Sequence, residues 1–597
     1  MRRRFAAVLL SALALPLLGA APPLPPSGPL PDAACTGVAS RTLARMTLAE
    51  KIGQMVMVLN APAFPGFSDT EALIRDYHVG SVVSLAYLGL GPADAAGVNN
   101  ALQQAASDTR LGIPVLNAGD FEKGVTTLVL PGATDLPTPM GLAATRSLAD
   151  VETSADITAA EALAMGFHWT FSPVADVVTT PLNGEIGVRS FGSDPELVSS
   201  YAVRQLQTYQ SAGLIATAKH FPGLGGSETN SHFALPTVSY SRQVLEQTHL
   251  PPFRAAVAAG VDAIMTGHLV VEAVDPDLPA SLSPLVTTDL LRDELDYDGV
   301  IVTDSMSLNS IVENWGFEQA PVMAVQAGAD IVMEVGPTIV PIIAIDAITQ
   351  AVETGAIAEK RIDASVRRVL SLKCRYGLLA RDRELIVDPA AAQAAVGTAA
   401  HLAAGDGIAR RAMTLLKNSG GILPFDREST ESTLVVGVTH HSTVIDTPPL
   451  SHVPAIVSLV DELAAGPVAG WQAATEDPTA AEIADAVALA AGYDRIIVAS
   501  YSAGPLPAGQ AQLASALAAT GKPTVAVALG TPYDITEYPT VDAFLASYAL
   551  IFLPTYALAP NALEAAVSVL FGAQPGGRLP VPIGETYPFG FGLDYPD

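Results

Sequence analysis

The chain has 597 residues, more than one ordinary core accommodates, so two or three domains are expected. Hydrophobic residues make up 49% of it and charged residues 15%, a balance that excludes a disordered protein. Its 60 Asp and Glu against 31 Lys and Arg leave a net charge of −29, which repels phosphate backbones and anionic lipid and excludes nucleic acid and membrane surfaces as partners.

Residues 1–21 carry three arginines, an apolar stretch and then small residues, the layout of a secretory signal peptide; the stretch is too short for a membrane span. The protein is therefore expected to be secreted. A Pro-rich leader, expected to be disordered, follows over 22–32. The cysteines are Cys35 and Cys374 alone. Export permits a disulfide between them, and two separate buried thiols are the alternative.

Over 33–380, eight short apolar runs alternate with longer helical patterns. They are MVMVL (55–59), VGSVVSL (79–85), IPVLNAG (113–119), HWTFSPV (168–174), LIATAKH (214–220), DAIMTGH (262–268), GVIVTDS (299–305) and ADIVMEV (329–335). Near-continuous apolar strands separated by helices predict parallel strands covered on both faces. Eight such units predict a (β/α)8 TIM-type barrel, with a doubly wound open sheet as the alternative. A linker is expected over 381–405, then an α/β sandwich domain over 406–597. Its strand candidates are 433–438, 495–501, 524–530 and 543–549.

In a barrel, reactive groups project from the C-terminal ends of the strands. Polar residues recur there: Asp120, Asp176, the Lys219-His220 pair, His268, Asp304 and Glu334. One such residue is read most simply as a buried hydrogen-bonding group. Six at corresponding positions suggest a site, and carboxylates among basic partners are what glycoside hydrolysis uses.

The stretches IGVRSFGSDPELV, KHFPG…SHFALP, VDAIMTGHLV, SLSP and YDGVIVTDSMSL resemble glycoside hydrolase family 3, and most closely its β-N-acetylglucosaminidase branch. RRAMTLLKNSGGILPF and YPFGFGL resemble the second domain of that family. The resemblance implies Asp304 as the nucleophile, forming a covalent glycosyl-enzyme with net retention. It implies Asp120, Arg189, Lys219 and His220 as sugar-binding groups, with Asp176 supporting them, and His232 on the loop after strand five as acid/base. No metal and no cofactor are implied, and a monomer is expected.

That loop departs from the family pattern. Asn230 stands where the family has Asp, Leu224 replaces His and Gly226 replaces Asp; in the DFEKGVTTL segment the Arg is missing and Leu128 is present. Asn orients an imidazole without bringing charge, so His232 is expected to titrate low and activity to shift toward acidic pH. His440-His441 lack a third ligand at metal spacing and are expected to be solvent-exposed. The Gly-rich PGLGGSE segment has neither phosphate-loop spacing, although a His acid/base leaves phosphorolysis as a residual reading. The leading expectation is an exo-acting β-N-acetylglucosaminidase on β-linked amino-sugar oligosaccharides from cell wall or chitin. The rivals are a β-glucosidase or β-xylosidase with its acid/base elsewhere, and a catalytically impaired glycan-binding protein.

Overall fold

The computed structural model describes residues 29–596 apart from 62–63, 65–67, 86–88, 129–130, 381–384, 441–449, 502–503, 552–556 and 559. The segment read as a signal peptide, and most of the Pro-rich leader, lie outside the described residues. The leader's last residues do not trail free: Leu30 donates its N–H to the Arg375 carbonyl at 2.7 Å, and a helix starts at once over Asp32–Leu43. This helix packs on the helix Glu359–Arg375. Cys35 and Cys374 join the two through a disulfide with Cα atoms 5.6 Å apart, so of the two readings the disulfide is the one the fold adopts.

Each of the eight apolar runs coincides with a strand: β1 (Val56–Asn60), β2 (Ser81–Ser84), β3 (Leu116–Gly119), β4 (Trp169–Thr170), β5 (Ile215–Phe221), β6 (Ala263–Thr266), β7 (Val300–Ser305) and β8 (Ile331–Glu334), with β1 and β5 ending one residue beyond their runs. They pair in parallel, in chain order, into a closed barrel. The period of two sorts their side chains onto two faces. Leu116, Ala118, Ile215, Val300 and Val302 share the apolar cluster that fills the barrel with Trp169. Ala216, Ala218, Ile301 and Val332 belong to the cluster under the helices. Continuing the inward phase by one step reaches Asp120, Lys219 and Asp304. Glu334 is in phase with Val332 and falls on the outer set.

The second domain is a six-stranded sheet made of β9 (Thr414–Asn418), β10 (Thr433–Gly437), β11 (Val468–Gln472), β12 (Arg495–Ser500), β13 (Thr524–Ala528) and β14 (Ala543–Ala546). Its order is β9-β14-β13-β12-β10-β11, with β9 antiparallel at one edge and helices covering both faces. The 381–405 stretch carries the helix Pro389–Ala395 and the start of the helix Ala399–Ala412, and it is docked on the barrel. There His401 Nδ1 lies 3.0 Å from Glu161 Oε1, and Gly397 donates its N–H to the same oxygen at 2.9 Å.

Met140, Ala144 and Val188 of the barrel join an apolar cluster with Tyr548, Leu579 and Val581 of the second domain. Arg411 grips Asp150 through two hydrogen bonds of 2.9 and 2.7 Å across the same boundary. The expectation of exposed histidines at 440–441 is corrected for His440, which is 1% exposed. Its ring packs edge-on against Tyr501 and its Nδ1 lies 3.2 Å from Glu476 Oε1. It lies on a two-residue strand that pairs antiparallel with Leu450–Ser451, and its ring also packs against that of His452. His441 lies outside the described residues.

Candidate active site

The C-terminal ends of the barrel strands bring together most of the residues singled out in the sequence. Lys219 (2% exposed) ends β5 and pairs with Asp120, just beyond β3, and with Glu122 Oε1 at 2.8 Å. Glu122 also takes a fork from Arg189, Nε to Oε2 and Nη2 to Oε1, both 2.8 Å. Burial opposes the charge on Glu122, but Arg189 and Lys219 overcome it and hold the carboxyl well below the usual range. Burial likewise opposes the charge on Lys219, and Asp120 and Glu122 more than offset it, holding its pKa above 10.5. This is a rigid, fully charged floor with Asp120 at its open side.

Asp176, past β4, is 0% exposed. Its Oδ2 accepts from His220 Nδ1 at 2.7 Å and from the His220 N–H at 3.1 Å, and its Oδ1 accepts from the Leu224 N–H at 2.6 Å. Both oxygens are thus committed inside the protein, so Asp176 supports the site by orienting His220 and has no oxygen free to bond a sugar itself. The carboxylate holds the ring through Nδ1, leaving Nε2 as the nitrogen not engaged by Asp176.

Asp304 ends β7 on the inward phase. Burial raises its pKa, but the charge of His220, His268 and His232 and the Ser305 N–H at 2.7 Å win, and it titrates below 3.8. His268 is 0% exposed, lies 2.8 Å from Ser281 Oγ through Nδ1 and 2.8 Å from the Ser305 carbonyl through Nε2. Burial pushes its pKa down, and its Nε2 holds the backbone next to Asp304. Glu334 stays outside this group. Its Oε2 accepts from Ser307 Oγ at 3.0 Å, its other oxygen has no partner among the described residues, and burial lifts its pKa to about 8.

His232 is reached from the loop after β5, with 32% of its side chain exposed. Asn230 Oδ1 accepts from its backbone N–H at 2.9 Å and stands 3.0 Å from its Nδ1, so Asn230 orients the ring and leaves Nε2 unengaged by it. The expected low titration of His232 is corrected. Burial lowers its pKa, but Glu185, whose Oε1 lies 3.5 Å from Nδ1, and Asp304 outweigh burial and the repulsion of Arg189, so it sits above 6.5. Glu122 and Glu185 were both missed in the sequence. Glu122 lay two residues past Asp120 in an already quoted motif, and Glu185 directly precedes the quoted IGVRSFG stretch, in an irregular loop whose approach to His232 only the fold sets. Among the described residues no cluster of His, Cys, Asp and Glu could hold a metal ion.

The profile of the glycosyl hydrolase family 3 N-terminal domain matches residues 47–372, and that of its C-terminal domain matches residues 413–595. The chain belongs to glycosyl hydrolase family 3. It is similar to a β-N-acetylglucosaminidase/β-glucosidase of Cellulomonas fimi, 29% identical over 576 residues, covering 90% of this chain and 94% of that one. A β-hexosaminidase of Mycobacterium tuberculosis is 30% identical over 361 residues, covering 60% of this chain and 89% of its own length. A family 3 β-N-acetylglucosaminidase from Paenibacillus sp. superposes with a TM-score of 0.80 at 34% identity, over 90% of this chain and 99% of that one.

The geometry accounts for two departures of this family 3 chain from the resemblance. The side chain of Leu224 is 1% exposed and packs in the apolar core, while its N–H serves Asp176. At Gly226 a Cβ would lie 3.2 Å from side-chain atoms of His249, Thr179 and Tyr240, and the rings of His249 and Tyr240 are stacked on each other, so a side chain here would have to displace that packing. The side chain of Leu128 lies outside the described residues.

Proposed function

We propose that the protein is an exported, retaining exo-β-N-acetylglucosaminidase acting as a monomer on cell-wall or chitin-derived oligosaccharides. The observation that carries the reading is the placing of Asp304 and His232 where their pKa values are pushed in opposite directions. The histidines around Asp304 and the Ser305 N–H hold its carboxyl down against burial, and Glu185 beside the His232 ring, oriented by Asn230, pushes that imidazole up against burial. Two groups with pKa values pushed apart are the acid and the nucleophile that retaining hydrolysis needs.

In the first step an Asp304 oxygen bonds to the anomeric carbon as the bond from that carbon to the leaving oxygen breaks. His232 gives its Nε2 proton to the leaving oxygen. In the second step the neutral imidazole takes a proton from water, the water oxygen bonds to the anomeric carbon, and Asp304 departs with its electron pair restored. Asp120 accepts from sugar hydroxyls, and the ring Nε2 of His220 contacts the sugar. Arg189 and Lys219, both nearly buried, hold that binding surface in place.

The names of the Cellulomonas and Paenibacillus relatives support the acetamido sugar, and the double name of the Cellulomonas protein favours β-glucosides as a second substrate. Export is supported by the N-terminal apolar stretch and by the Cys35–Cys374 disulfide, a bond suited to an oxidising compartment. No helix among the described residues is long and apolar enough to cross a membrane.

The test is hydrolysis of aryl β-N-acetylglucosaminide, β-glucoside and β-xyloside, with Asp304→Asn as control. Preferential turnover of the acetamido sugar, abolished in the control, is expected. Turnover of only the plain sugars would contradict the proposed specificity.

A further inference from the structure

We infer that Glu185 is the charge partner of His232, supplying from the loop after β4 the negative charge that Asn230 does not bring. The inference rests on the reading of His232 as the acid/base. In it, the work done by one Asp in the family pattern is divided: Asn230 orients the ring, and Glu185 stabilises its protonated form.

Four observations support it. Glu185 is 4% exposed, and among the described residues its only ion-pair partner is His232, with Oε1 3.5 Å from Nδ1. A carboxylate so buried is costly unless a positive charge faces it, and a protonated His232 is that charge. The carboxylate is aimed by the acid/base loop itself, since Ser231 donates its N–H to Oε2 at 2.7 Å and its hydroxyl to Oε1 at 2.5 Å. Its backbone is pinned as well. Asn183 Oδ1 accepts from the N–H groups of Glu185 and Ile186 at 3.1 and 2.7 Å, Asn183 Nδ2 donates to the Leu224 carbonyl at 2.9 Å, and Arg189 Nη1 holds the Glu185 carbonyl at 3.0 Å.

The other charged or titratable groups around His232 are few. Asp304 on β7 also favours the imidazolium, Arg189 on the loop after β4 opposes it, and the pKa of His268 after β6 is pushed down by burial. Burial works against ionising Glu185, but His232 and Ser231 hold its carboxyl below the usual range. Glu185 touches no reacting atom, so it is a positioning residue.

The experiment is the pH dependence of kcat/KM for the wild type, Glu185→Gln, Asn230→Asp, Glu185→Gln/Asn230→Asp and His232→Gln, on a substrate with a poor leaving group and on a dinitrophenyl glycoside. An opposite charge at this distance shifts a pKa by about one unit or more. Glu185→Gln should therefore bring the alkaline limb down by about one unit and lose roughly tenfold at neutral pH on the poor leaving group. It should lose little on the dinitrophenyl glycoside, whose departure needs no acid. The double variant should restore the limb. A purely structural role for Glu185 would depress both substrates alike and leave the limb in place, and that outcome overturns the inference. If His232→Gln itself keeps the limb and full activity on the poor leaving group, the acid/base reading falls and takes this inference with it. If His232→Gln behaves as an acid/base variant and Glu185→Gln does not shift the limb, only the inference falls.

Discussion

Arg189 meets Glu122 in a two-pronged contact, each prong 2.8 Å long, at the floor of the barrel mouth. Neither side chain is more than 9% exposed, so each charge depends on the other. The same arginine sits next to Val188, which packs into the second domain, so the second domain borders the segment that carries Arg189. A lysine cannot reproduce a fork, and removing one partner of a buried pair costs about 3–5 kcal/mol. Arg189→Lys should lower kcat/KM by about a hundredfold, and Glu122→Gln, which strands both Arg189 and Lys219, should also lower the thermal midpoint by several degrees. Steady-state kinetics beside thermal denaturation checks both. An Arg189→Lys enzyme of wild-type efficiency would show that the fork is dispensable.

The pH profile follows from two shifts of opposite sign. Asp304 titrates below 3.8 and His232 above 6.5, and the active form needs the first ionised and the second protonated. The plateau of kcat/KM should therefore extend from the low-pH side of 3.8 to the high-pH side of 6.5. The stability linkage runs the same way. The contribution of His232 is full below 6.5 and is lost as pH rises through its folded pKa, and that of Asp304 is full above 3.8 and is lost as pH falls through its folded pKa. Initial rates at low substrate from pH 3 to about 9 measure the limbs. An alkaline limb falling below pH 6 would contradict the shift given for His232.

Much of this was legible in the sequence, for identifiable reasons. Parallel strands buried on both faces leave apolar runs; six barrel strands lie within the runs read from them, and β1 and β5 overrun theirs by one residue, Asn60 and Phe221. Asp120, Lys219 and Asp304 could be found because each continues the inward alternation of its strand. Glu185 could not, because its meeting with His232 depends on two irregular loops tied together by Asn183 and Leu224. β9 and β11 also escaped notice. Both are edge strands, and VAGWQ over Val468–Gln472 is only partly buried, without the apolar run that central strands need. The cysteine pairing stayed open because a separation of 339 residues leaves no local trace.

Glu334 should behave as a buried neutral acid. With its pKa raised from 4.5 to about 8, the protonated form is favoured in the folded state, and its contribution to stability is full below 4.5 and lost as pH rises toward 8. Glu334→Gln, already neutral, should escape that loss. The difference in thermal midpoint between variant and wild type should move in the variant's favour from pH 5 to 8, by about 2–4 kcal/mol of stability. Activity at neutral pH should change less than threefold. Parallel melting curves across that range would refute this account of Glu334.

The Cys35–Cys374 bond closes a loop of 339 residues around the whole barrel. Removing a bond that closes so long a loop costs about 2–5 kcal/mol. The double variant Cys35→Ser/Cys374→Ser should melt several degrees lower while keeping its kcat/KM at 25 °C, because neither cysteine is near Asp304. A dithiothreitol titration followed by calorimetry checks the same claim on the unaltered chain.

The most direct measurement is mass mapping of the protein after reaction with a 5-fluoro-β-N-acetylglucosaminyl fluoride, which slows release of a covalent glycosyl-enzyme. The account predicts one sugar per chain, on the peptide that contains Asp304, and no labelling of Asp304→Asn. A label on another carboxylate, or turnover with no trapped adduct and inverted product, would contradict it.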